Sequence, residues 1–323
     1  MPIPRSGWLG ALIVLVAAAL FGSLGVLSRF AYAEGMEPFA FVAWRAGVGA
    51  VGLWLVIAAV RRPSGIATQL REVRPGAVRW LLLAILLGAG LNLAAFLSFA
   101  YTSVALALLG FYTYPAMVAA GSVLLGREKL EVAHVLALAL ALGGMAAVVL
   151  GGPATDETGR AHVLGVGLAL LAAAFQTAFV LTSRGYASVP ADQAMGAILA
   201  GSAIVAIVVT AVAVGPAALA MPVASPSLLA LLLYTGLFAA ALPSVLFLTG
   251  IRAIGGVRTG ILMLFEPVVG VALAAALLAE GLQPVQVLGG VTILLAAVIV
   301  QRATRAPAQT IDSTAIAPAP GGP

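Results

Sequence analysis

Glu266 stands beside Pro267 inside a long apolar stretch, roughly nine residues or ~14 Å of helix from where that stretch begins. A charged carboxylate at such depth in lipid costs at least ~2.5–3.5 kcal/mol to insert, so it must face a cavity, find a partner or carry a proton. Three chemistries suit it: binding a substrate ammonium, relaying a proton, or a plain hydrogen bond between helices. Arg45 lies ~10 Å from one end of its own apolar stretch. It either snorkels to the interface or reaches Glu266 or an anionic group in a cavity. Pro115 and Pro267 each fall ten or eleven residues into a stretch and remove the hydrogen bond to a carbonyl one turn earlier, that of Phe111 or Met263. Irregular backbone at mid-membrane depth is tolerated where protein or a water-filled cavity satisfies it, which makes the two prolines candidate gates; a static packing kink is the alternative. Asn92, Tyr112, Thr113, Tyr114, Gln176 and Thr177 add polar and aromatic groups. Around a cavity these would suit an amphipathic solute, a hydrophobic amino acid or an aromatic metabolite, although such groups also simply join helices. The candidate substrate-binding set is thus Arg45, Asn92, Tyr112, Tyr114, Gln176 and Glu266.

The elements that position these residues follow from composition. Of 323 residues, 63% are hydrophobic and 8% charged, against about 45–50% and about 25% in soluble domains, and the mean hydropathy is +1.15. Too little polar surface exists to clothe a water-soluble body, so the chain reads as an all-α polytopic membrane protein. The absence of cysteine excludes disulfides, thiolate metal sites and a cysteine nucleophile. Two histidines, His134 and His162, fall on opposite sides of the membrane in the topology below, so no metal site or other cofactor is expected. The pI near 10.1 does not signal nucleic acid, because the basic residues are scattered through short loops with no aromatic-interleaved face.

A span needs about 20 apolar residues. Gly, Pro and charge clusters divide the chain into ten such stretches, 8–30, 38–60, 78–100, 104–126, 131–151, 162–183, 192–214, 227–250, 257–279 and 283–302. Each must be helical to satisfy its own backbone in lipid. With the N-terminus inside, the inner segments collect Arg5, Arg61, Arg62, Arg71, Arg74, Arg79, Arg127, Lys129, Arg184, Arg252, Arg258, Arg302 and Arg305, whereas the outer loops hold only Arg29 and Arg160. That bias predicts both termini in the cytoplasm and a multi-pass protein of the cell inner membrane. Arg5 followed by an apolar run ending at Ala17 to Ala19 imitates a signal peptide, but the run continues past the length of a signal core. Gly47, Gly49 and Gly52 match G-x-G-x-x-G without the preceding strand that a dinucleotide site requires, so they read as small residues for helix packing.

The chain is also written twice. Gly10, Ala17 to Ala19 and Ser28-Arg29 reappear 155 residues later as Gly165, Ala172 to Ala174 and Ser183-Arg184; Pro115 and Glu128 reappear 152 residues later as Pro267 and Glu280. The expected organisation is a first five-helix unit over 1–152, a second over 153–302, and a disordered cytoplasmic tail, rich in Pro, Ala, Gly, Ser and Thr, over 303–323. Five is odd, so the second unit enters from the opposite side and the repeats are inverted, an arrangement that characterises secondary transporters. Trp8, Ser28-Arg29, Arg45, Tyr114-Pro115 with Leu124-Leu125-Gly126-Arg127-Glu128, and Glu266-Pro267 with Leu277-Leu278-Ala279-Glu280 together resemble the EamA family of the drug/metabolite transporter superfamily over about residues 8 to 302. The resemblance implies ten helices as two five-helix repeats, export of amino acids or other small metabolites, and coupling to an ion gradient, a proton gradient being one option. Arg45 aligns with Ala200 and so lacks a symmetric counterpart. Expected partners are a small-molecule substrate and membrane lipid; the oligomeric state is left open. The Arg-rich segment from Arg61 to Arg79 would favour anionic lipid, although topology explains it equally well. The competing functions are an uncoupled channel-like bundle and a membrane-embedded enzyme acting on a lipid-linked substrate. The latter would want clustered carboxylates, a histidine constellation or an acidic metal motif on one face, and the sequence offers none.

Overall fold

The computed structural model describes residues 7–60, 75–98, 101–102, 104–127, 129–150, 160–278 and 283–303. Arg5, Arg61, Arg62, Arg71, Arg74, Glu128, Glu280, Arg305 and the rest of the tail therefore lie outside the described residues. The helices are α1 (Gly7–Ala33), α2 (Pro38–Val60), α3 (Pro75–Ser98), α4 (Val104–Phe111), α5 (Tyr114–Leu124), α6 (Val132–Leu150), α7 (Arg160–Thr182), α8 (Ala191–Ala213), α9 (Pro226–Gly236), α10 (Leu242–Ile254), α11 (Gly256–Met263), α12 (Glu266–Leu278) and α13 (Pro284–Ala303). No strand occurs among the described residues. Nine helical stretches there are apolar and long enough to cross a membrane by an 18-residue criterion; the apolar part of α13, Pro284–Val300, is shorter.

Lipid and protein interior are equally apolar, so these helices sort their faces by size rather than by polarity. On α1 the buried positions are mostly small, Gly10, Ala11, Ala17, Ala18 and Gly22 among them, while Trp8, Leu9, Leu12, Val16 and Phe30 face outward. Small residues let backbones approach. Gly144 and Gly289 bring α6 against α13 so closely that a Cβ on either would meet the other's carbonyl oxygen at 2.5–2.6 Å. Gly49 and Gly52 of the G-x-G-x-x-G stretch serve the same purpose, facing the Gly236 carbonyl and the Leu237 side chain. The resulting pairs are α2 with α8, α6 with α13, α3 with α7, and α1 with both α10 and α12.

Three stretches depart from simple helices, each near a proline. Between α9 and α10 the helix widens into a π-turn over Leu237–Ala241, just before Pro243, which has no N–H to continue the ladder. The other two departures are local losses of the helical hydrogen-bond ladder, at which the backbone stays in the helical region (Thr113 φ −69°, ψ −15°; Leu264 φ −64°, ψ −4°). The stretch expected over 104–126 is interrupted at Tyr112-Thr113, and that over 257–279 at Leu264-Phe265, so Pro115 and Pro267 each stand in the first turn after an interruption, where the ladder lacks the bond that proline cannot donate. Proline is well suited there, because its missing N–H would have been unsatisfied in any case. The break at Tyr112-Thr113 closes with a tighter turn, Thr113 N–H to Gly110 O at 3.3 Å, and the Thr113 hydroxyl donates to the same carbonyl at 2.7 Å. At the other break, Leu264 and Phe265 donate to Ile261 and Leu262 at 3.2 and 3.1 Å.

Candidate functional site

The two breaks bring the chain's deepest acid to its buried tyrosines. Glu266 opens α12, where the positive end of the helix dipole favours a carboxylate. Its carboxylate accepts a hydrogen bond from the Tyr112 hydroxyl, at the break between α4 and α5. Tyr112 and Tyr114 are both buried, and Phe111 meets each in a tilted ring contact with centroids 5.3 Å apart. Thr177 of α7 donates to its own helix at Ala173 and lies 3.4 Å from the Tyr114 carbonyl, so the second repeat's first helix backs the first repeat's break.

Arg45 turns inward. It is only 7% exposed, donates from Nη2 to Asn92 Oδ1 at 2.6 Å and sits 5.8 Å from the centre of the Phe96 ring. Asn92 is itself held, its amide donating to the Gly88 carbonyl at 2.8 Å. The interface-snorkelling alternative for Arg45 is therefore not the one adopted. The guanidinium feels the charge of Glu266 and lies near Tyr32. Its Nε is buried with no hydrogen-bond partner among the described residues. A buried donor left unpaired costs about 1–3 kcal/mol, which an incoming anionic group would relieve.

The structure thus gathers Tyr112, Tyr114 and Glu266 at the two interruptions and bonds Arg45 to Asn92 across α2 and α3, and the charge of Glu266 reaching Arg45 relates the two groups as one set. Gln176 is buried on α7 beside Thr177, and no hydrogen bond joins it to Glu266 among the described residues. Pro115 and Pro267 flank the site: Pro115 follows Tyr114, and Pro267 follows Glu266. Three contributors escaped the sequence reading. Gly22 of α1 lies where a Cβ would sit 2.6 Å from the Glu266 carbonyl oxygen; Gly260 of α11 abuts Pro115; Phe96 supplies an aromatic face for Arg45. The duplication held no signal for the first two, since its offsets carry Gly22 onto Thr177 and Gly260 onto Leu108, and among the chain's 37 glycines nothing else marks them.

No curated protein matches the chain at a significant level. Among solved structures, one described only as "Crystal structure of protein" superposes with a TM-score of 0.76 at 20% identity, covering 94% of this chain and all of its own; it speaks to the fold alone. The sequence model of the EamA-like transporter family matches twice, over residues 8–150 and 163–302. Those two stretches contain both broken helices and every residue of the connected set, and by them the chain belongs to the EamA-like transporter family, part of the drug/metabolite transporter superfamily.

Proposed function

We propose that this transporter moves small amphipathic metabolites, amino acids among them, outward across the inner membrane by alternating access between two inverted five-helix repeats. The observation that carries the reading is the meeting of two broken helices at Glu266, with Arg45 nearby presenting an unpaired Nε. Opposite charges offered within one site fit a zwitterion, its carboxylate taken by Arg45 and its ammonium by Glu266, while Phe111, Tyr112 and Tyr114 supply apolar and aromatic surface for a side chain. Discontinuous helices whose ends converge on a site are the usual way a transporter builds one in lipid.

Inversion is supported by which helices pair and in which sense. Equivalent helices of the two repeats lie side by side and antiparallel: in α2 and α8, Gly47 lies by Ala203 and Trp54 by Gly196; in α6 and α13, Gly144 lies by Ile293 and Val148 by Gln286. Exchanging the halves also carries the pair α1 with α10 onto α7 with α3. We take α13 as the tenth span, since about 17 residues is the lower limit for crossing. Glu266 is then the group that couples occupancy to proton gain or loss, because an intramembrane carboxylate exchanges partners as the site opens to one side or the other.

The test is flux into proteoliposomes containing the purified chain, with a panel of labelled amino acids and aromatic metabolites and an imposed proton gradient. Saturable, gradient-responsive flux of some members is expected. Non-saturable leakage of all of them would mean a channel, and no flux of any would overturn the reading.

A further inference from the structure

A cavity of about 330 Å³ opens where α5, α7 and α10 end and α11 begins, and Glu266 is not among its lining residues. Three arginines, Arg127, Arg184 and Arg252, belong to its lining, and none of the lining residues is acidic. Arg252 is locked in place: Nη1 donates to Val189 O at 2.8 Å, Nη2 to Tyr186 O at 3.2 Å, and the guanidinium lies 5.9 Å from the Tyr186 ring centre. Its Nε is buried with no hydrogen-bond partner among the described residues. Arg127 donates to the Leu181 carbonyl, which holds it at the rim. Between them Gly255, with φ of +85°, turns the chain so that Gly255 and Gly256, at the start of α11, belong to the lining. Three like charges around one hollow repel one another, and the acid whose charge reaches them, Asp192 acting on Arg252, stands outside the lining.

We propose that this cavity binds a phosphate-bearing anion, and that it is a headgroup site for an anionic phospholipid. The phosphate chemistry follows from guanidinium forks around a space of ligand size. The lipid source follows from the surroundings: Leu124 and Leu125, which precede Arg127 by three and two residues, are 86% and 54% exposed and offer apolar surface for acyl chains beside the charged hollow. Basic pockets between helix ends take anionic headgroups in this manner. The site is distinct from the substrate-binding set, since none of its lining residues belongs to it.

The experiment is a thermal-stability titration of the full chain, purified in neutral detergent, with dioleoyl phosphatidylglycerol, dioleoyl phosphatidylcholine and inorganic phosphate as separate probes. Phosphatidylglycerol is expected to raise the midpoint saturably and phosphatidylcholine to leave it unchanged. Arg127→Gln with Arg184→Gln should weaken the phosphatidylglycerol effect about 10-fold to 30-fold. Arg29→Gln, about 28 Å away along α1 from the end that meets α10 at Ile254, should not. If the double variant does not fold, Arg184→Gln alone, at an exposed position, takes its place. Stabilisation by inorganic phosphate with the same variant sensitivity would keep the phosphate site and assign it to a soluble anion. No stabilisation by either probe, or stabilisation indifferent to these arginines, overturns the proposal. Transport is not read out, so the outcome is independent of the assignment of substrate.

Discussion

Gly22 and Gly25 sit three residues apart on α1, and alanine at each distinguishes a packed site from a loose one. A Cβ at Gly22 would lie 2.6 Å from the Glu266 carbonyl oxygen, 3.0 Å from Val269 Cβ and 3.2 Å from Gly270 N, whereas one at Gly25 would meet nothing within 4 Å. Two of the three obstacles are backbone atoms at or just after the helix break, so no side-chain rotation relieves the clash. Either α1 withdraws or the start of α12 shifts. Overpacking of this kind costs about 1–3 kcal/mol. Gly25→Ala should be neutral or stabilising by up to ~1 kcal/mol, because alanine loses less backbone entropy in a helix. The assay is unfolding free energy in mixed micelles together with flux in proteoliposomes for both variants. Gly22→Ala is expected to lose stability by about 1–3 kcal/mol and to lose transport beyond what reduced protein yield explains, because the displaced backbone carries Glu266. Equal stability and equal flux for the two variants would refute the claim that α1 positions the break.

Glu266→Gln keeps shape and hydrogen bonding to Tyr112 while removing titration; the protein should fold, and the dependence of its flux on the proton gradient should vanish. An unchanged gradient response would make Glu266 structural. Alanine at both Pro115 and Pro267 restores two backbone donors beside the breaks and should impair transport more than insertion, checked by flux against membrane yield; normal flux would leave only a packing role. For topology, the chain has no native cysteine to remove. Single cysteines at the exposed Glu37 and Ala220 should react with an impermeant thiol reagent added outside intact cells, and one at exposed Ser188 only after permeabilisation. The reverse pattern would invert the proposed orientation.

Much of the architecture was legible in the sequence because the bilayer imposes it one segment at a time. Hydrocarbon thickness sets stretch length, and unsatisfied backbone forbids anything but helix across it. Stretch boundaries consequently agree with the helices to within a few residues, 38–60 with Pro38–Val60 and 192–214 with Ala191–Ala213. The two prolines and the 152-residue repeat likewise marked where helical regularity fails, since a missing N–H is a local property of the chain. What packs where Tyr114 and Glu266 resume the helix needed the neighbours: Gly22 pressed against one interruption and Thr177 against the other. Rotation of each helix about its axis was equally hidden. In lipid both faces of a helix are apolar, so periodicity does not say which side turns inward. Nothing local distinguishes Gly22 from Gly25, or an Arg45 directed to the interface from one bonded to Asn92. Those choices rest on contacts between residues far apart in sequence, 47 positions for Arg45 and Asn92. Only the packed bundle, where an unpaired charge or a misplaced methyl has nowhere else to go, decides them.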